Sequence, residues 1–156
     1  MEAKMNTQNK YTYDYPMPAI TADIAVFRAC GAAWQDEYQI LLIKRKYPPF
    51  KDCWALPGGF MEINETLKEC AVRELQEETG ISPTFPLQFV GLADEPLRDP
   101  RGRIVSATFT TFVDKDTEAI PSDDAVEAEW FDIYNLPEMA FDHMDSINAC
   151  IDFLGI

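Results

Sequence analysis

No stretch of this chain restricts its fold more than Gly59 to Ile81, GFMEINETLKECAVRELQEETGI, which reads as a capped helix with acids turned toward the core. Leu67, Ala71 and Leu75 recur at i, i+4 and i+8 over Thr66 to Thr79, the period of an amphipathic helix. Thr66 and Glu69 make a capping-box pattern at its start, and Gly80 stands where a left-handed residue ends a helix. Glu74, Glu77 and Glu78 fall in a sector of roughly 100° that includes Cys70 and borders the apolar stripe. Exposed charge ordinarily sits opposite that stripe. Carboxylates crowded at the rim of a core repel one another and lose hydration unless they share a cation. Hard oxygen ligands suit Mg²⁺ or Mn²⁺, which keep several waters and bridge to phosphate. The alternative is a solvated Glu-rich face paired with Arg73 and Lys68.

Around the helix, Ile20 to Phe27 and Tyr38 to Ile43 read as two paired strands joined through the turn segment GAAWQDE. Lys44 to Lys51, basic and broken by two prolines, reads as a loop before the short segment Cys53 to Leu56 and the turn Pro57-Gly58-Gly59. Leu87 to Leu92, Ile104 to Val113 and Glu127 to Ile133 read as further strands, and Asp142 or Asp145 caps a last helix reaching about Phe153. The expected architecture is α/β, one sheet flanked by helices, with a flexible segment over residues 1–15 and one domain over 16–156.

A formal charge of −14 opposes any binding mode that neutralises many phosphates, so no nucleic-acid surface is expected. An anionic small molecule remains compatible if divalent cations stand between it and the carboxylates. The polar first ten residues, the lack of a long apolar run and four scattered cysteines suggest a soluble cytoplasmic chain with reduced thiols and no membrane partner.

Gly59, Glu65, Arg73, Glu74, Leu75, Glu77, Glu78, Gly80 and Ile81 stand at the spacings G-x5-E-x7-R-E-U-x-E-E-x-G-U, where U is a bulky apolar residue. The segment thus resembles the Nudix box at every defined position. The preceding WALPGG and the late SDDAVEAEWFDIYNLP are similar to the family as well, so the resemblance runs over roughly residues 20 to 154. It implies the Nudix fold, an α/β/α sandwich with a mixed β-sheet and a loop-helix-loop catalytic motif. It also implies that Glu74, Glu77 and Glu78 bind Mg²⁺, or alternatively Mn²⁺, with the carbonyl of Gly59 as a further ligand. Arg73 resembles the arginine that pairs with acids of the box, and Glu65 its structural partner. Such ions neutralise a diphosphate and activate water, while one carboxylate takes the water's proton. Family members differ in that base: Glu74 is the candidate within the box, Glu127 or Asp124 the distal ones.

The box says little about what the diphosphate carries. Pro96, sixteen positions after Gly80, resembles the downstream proline of ADP-ribose pyrophosphatases, and YDYPMPAITADIAVF and AFDH look like the same branch. Arg98, Arg101 and Arg103 form a cationic turn suited to phosphate and ribose oxygens, or else a solubilising hairpin. Tyr13, Tyr15 or Phe50 could stack on adenine, and His143 reads as structural at a helix start. The resemblance implies hydrolysis of ADP-ribose to AMP and ribose 5-phosphate. The alternatives are a nucleoside-triphosphate pyrophosphohydrolase of the MutT type and a non-catalytic ADP-ribose sensor. Relatives of this branch commonly form homodimers.

Overall fold

Ile24 to Phe27 is apolar at every position, as in a strand covered on both faces. In the computed structural model, which describes residues 11–31, 37–122 and 125–156, these four residues are fully buried at the centre of the sheet. They belong to β1 (Ala19–Ala29), followed by β2 (Tyr38–Arg45), β3 (Trp54–Ala55), β4 (Gly58–Phe60), α1 (Leu67–Thr79), β5 (Gln88–Ala93), β6 (Ile104–Phe112), β7 (Ala125–Asp132) and α2 (His143–Leu154). The sheet is mixed. β1 runs parallel to β6 from Ala19↔Ile104 to Phe27↔Phe112 and antiparallel to β2 and β4, with β5 beyond β6 and β7 beside β2.

Strand alternation sends Ile24 and Val26 toward Ala71 and Leu75 of α1, and Ala25 and Phe27 toward Ile147 and Cys150 of α2. The result is the expected α/β/α sandwich. Both ends of α1 form as the sequence predicts. Thr66 Oγ1 accepts the Glu69 N–H at 3.2 Å, Glu69 Oε2 accepts the Thr66 N–H at 2.7 Å, and Gly80 closes the helix at φ 71°.

Strand boundaries shift by one or two residues from the sequence reading. β2 continues to Arg45, because Lys44 and Arg45 pair with β7 before the prolines break the strand. Asp142 occupies the N-cap of α2 without a side-chain cap bond, since its carboxylate oxygens are both taken by Arg98. Residues 11–15 are exposed and carry neither helix nor strand; residues 1–10, most of the GAAWQDE turn and Asp124 lie outside the described residues. All four cysteines are free, and among the described residues no helix is long and apolar enough to cross a membrane.

Candidate active site

β1 pairs with β2 at residues 27–29 but with β4 at residues 21–23. At this change of partner a cavity of about 430 Å³ is lined by Thr21 and Asp23 of β1, Ile43 and Arg45 of β2, and Gly58 to Phe60 of β4. The α1 acids Glu74 and Glu78 also line it. Glu78 is buried and its Oε2 accepts the Gly58 N–H at 3.0 Å, which ties the helix to the loop. A Cβ on Gly59 would collide with the Glu74 carboxylate, so only glycine lets that carboxylate lie against the loop backbone.

Arg73 is the cation shared by Glu65, Glu74 and Glu77. Its Nε and Nη2 donate to the two oxygens of Glu65 at 3.0 and 2.6 Å, and its Nη1 donates to Glu74 at 2.7 Å and Glu77 at 3.1 Å. Burial raises the Glu74 carboxyl above the usual range against the opposing pull of Arg73. The three box glutamates do not share one environment. Glu77 keeps 46% of its side-chain surface and faces a wide groove on the outer side of α1, at the edge of the sector farthest from the Leu75 stripe. Among the described residues, no three His, Cys, Asp or Glu side chains are gathered into a finished metal-binding cluster.

Arg45, Lys46, Arg73, Arg98 and Arg101, five of the chain's 13 Lys and Arg residues, line this one cavity beside five acids. The twofold acidic excess of the whole chain therefore disappears here. Arg98, whose side chain is 4% exposed, donates from Nε and Nη2 to Asp142 at 2.7 and 2.5 Å. Burial opposes the Asp142 charge, but the Arg98 hydrogen bonds outweigh it and hold that carboxyl below its usual range. Arg101 grips Asp99 at 3.0 and 2.7 Å. His143 Nδ1 accepts the Leu56 N–H at 3.0 Å while Nε2 lies 3.8 Å from Asp23, whose carboxylate also accepts the Ser106 hydroxyl. Burial pushes the His143 pKa down, consistent with the neutral ring that this acceptor role requires.

Several sequence candidates fall elsewhere. Glu127 does not line the cavity: it accepts Lys44 Nζ at 2.9 Å, and Lys44 alternates with the cavity-lining Ile43 and Arg45, so it projects from the other face of β2. Arg103 is directed away by its bond to the Asp94 carbonyl at 2.7 Å, so the cationic turn contributes Arg98 and Arg101 alone. Pro96, Tyr13 and Tyr15 are exposed and outside the lining, and Phe50 meets it through Phe141, 4.7 Å between ring centroids. Sequence reading missed Asp23, Arg45, Asp99, Phe60 and Phe141; the basic run before WALPGG and the AFDH segment were the available signals.

Glu65 provides a test of the Arg73 network. Hydrogen bonds from Arg73 lower its carboxyl pKa from 4.5 to about 2. A carboxyl depressed on folding stabilises the fold above its unfolded value and loses that contribution as pH falls toward its folded one. Thermal denaturation of Glu65→Gln should therefore show a flatter acid limb between pH 4.5 and about 2 than the parent. Parallel curves would contradict the pairing. At neutral pH this variant should lose less activity than Glu77→Gln, because Glu65 acts through Arg73.

The model of the NUDIX domain matches residues 25–149. An ADP-ribose pyrophosphatase of Methanocaldococcus jannaschii is 46% identical over 129 residues, covering 83% of this chain and 70% of that protein. The ADPR-responsive transcriptional repressor NtrR of Acinetobacter baylyi is 35% identical over 136 residues, covering 85% of this chain but 52% of the repressor, so the chain spans about half of that relative. Among solved structures, a MutT/nudix family protein from Enterococcus faecalis superposes with a TM-score of 0.83 at 27% identity, over 95% of this chain and 66% of that one. The NUDIX domain of Shewanella oneidensis NrtR, complexed with ADP ribose, has a TM-score of 0.79 at 23% identity over 98% and 99% of the two chains, a likeness of fold.

Proposed function

The chain belongs to the Nudix family and is a pyrophosphohydrolase, and from that premise we propose that it hydrolyses ADP-ribose to AMP and ribose 5-phosphate with the help of Mg²⁺. The observation that carries this reading is the two-sided cavity, in which the box acids Glu74 and Glu78 and the fixed arginines Arg98 and Arg101 face a common space. A diphosphate bound there would meet both. The likeness to the archaeal ADP-ribose pyrophosphatase supports the choice of substrate.

The donors suit Mg²⁺, or Mn²⁺ in its place: carboxylates on α1 lie beside a loop whose glycine leaves room for one of them. Glu74, Glu78 and the Gly59 carbonyl would hold it, with Glu77 the peripheral member of the set. When bound, Mg²⁺ neutralises diphosphate oxygens and makes water a better nucleophile. The attacking water adds its oxygen to one phosphorus as the bridging P–O bond breaks, and its proton passes to a carboxylate. Glu74 fits that role, since it lines the cavity and Arg73 fixes its orientation. Arg98 and Arg101, immobilised by Asp142 and Asp99, orient the diphosphate without much further loss of rotamer freedom.

A panel of nucleoside diphosphate derivatives and triphosphates with Mg²⁺, products identified by mass, tests the reading. AMP and ribose 5-phosphate from ADP-ribose are expected. Preferred release of pyrophosphate from triphosphates would support the MutT-type alternative, and tight ADP-ribose binding without turnover would mark a sensor. Arg101→Ala should lower kcat/KM for ADP-ribose about tenfold, the loss of a charge-assisted hydrogen bond. Arg103→Ala should stay within about twofold, as a surface change does; equal losses would refute the division of the turn. A cytoplasmic homodimer is the accompanying expectation, its stoichiometry open to light scattering.

A further inference from the structure

The AFDH segment, residues 140–143, is pinned on both sides of Phe141. Ala140 is fully buried and its N–H donates to the Trp54 carbonyl at 2.7 Å, while Asp142 holds Arg98 and His143 accepts from Leu56. Between these anchors Phe141 has φ 53°, a left-handed conformation that aromatic residues seldom adopt. Outliers of this kind persist where their surroundings over-determine them and cluster at ligand sites.

Arg45 reaches the Phe141 ring from β2, with Cζ 4.9 Å from the centroid, and Arg101 reaches it from the β5–β6 loop at 5.2 Å. Arg101 also lies 5.0 Å from the centroid of Phe60. Two guanidiniums beside one ring repel each other, and the ring quadrupole offsets that repulsion. Arg45, Arg101, Phe60 and Phe141 all line the cavity of the box acids.

We propose that Phe141 is a positioning residue, whose ring holds Arg45 and Arg101 together so that both bind the diphosphate of the substrate. The proposal rests on the ADP-ribose reading above. The ring acts on ground-state binding through the two cations.

Steady-state kinetics with ADP-ribose and Mg²⁺, together with calorimetric ADP-ribose binding in EDTA, test this on Phe141→Leu, Phe141→Asn and Phe141→Tyr. Asn tolerates positive φ, so it removes the ring while keeping the backbone. Leu and Asn should raise both KM and Kd about fivefold or more, with kcat within about twofold of the parent; Tyr, which retains a ring face, should restore parental values. Parental KM and Kd for Leu and Asn, in an enzyme that hydrolyses ADP-ribose, would overturn the proposal and leave the function standing. Lower kcat with unchanged KM, reduced thermal stability alone, or failure of Tyr to rescue would overturn it too. A parent enzyme that neither binds nor hydrolyses ADP-ribose would instead remove the functional reading, and this proposal with it.

Discussion

Glu78→Gln is expected to lower kcat/KM by roughly 10²–10³-fold while the protein melts as the parent does. The neutral amide keeps the shape of the side chain, and its oxygen can still accept the Gly58 N–H that Glu78 accepts at 3.0 Å. The tie between α1 and the Gly58–Gly59 loop therefore survives. What disappears is the anionic oxygen proposed above to hold Mg²⁺, and electrostatic stabilisation of a transferring phosphoryl group by a bound ion amounts to several kcal/mol, each 1.4 kcal/mol being about tenfold in rate. Glu77→Gln should reduce activity as well, but by less than Glu78→Gln, because Glu77 stands on the solvent side of Arg73 and outside the cavity. Metal titration followed by kinetics checks both. A fully active Glu78→Gln enzyme at ordinary Mg²⁺ would sink the assignment of this acid.

Arg98→Ala should destabilise the fold by about 3–5 kcal/mol, the cost of leaving one member of a buried ion pair without its partner. The Arg98 side chain is 4% exposed and that of Asp142 23%, so solvent does little to replace the lost contact. The consequences reach the site, because Asp142 begins α2 and the adjacent His143 supports the Leu56 backbone just before the glycine loop. Replacing the pair together, Arg98→Met with Asp142→Leu, should recover most of the stability, since apolar residues of similar volume often substitute for a buried pair. It should not recover ADP-ribose hydrolysis. Denaturant titration of the three proteins separates the effects; restored activity in the double variant would show that Arg98 does not contact the substrate.

The sequence by itself determined the parts of this protein that depend on neighbours a few residues apart. The start of α1 at Thr66, its end at Gly80 and the proximity of Glu74, Glu77 and Glu78 follow from helical period and capping chemistry. The Glu65–Arg73 pair came from the family resemblance, and the geometry gives it a bidentate form. Period-two and apolar runs likewise marked β1, β2 and β6 within a few residues. Only the tertiary structure decided which charged groups meet. Whether Arg98 or Arg103 points inward, why Lys44 claims Glu127, and how Arg45 and Arg101 come to flank Phe141 all depend on pairings across dozens of residues. The cavity itself lies where β1 leaves β2 for β4, a change set by strand register between segments distant in the chain. Local periodicity carries no record of such register, because burial on both faces of β1 makes Ile24 to Phe27 apolar whichever strand lies beside them.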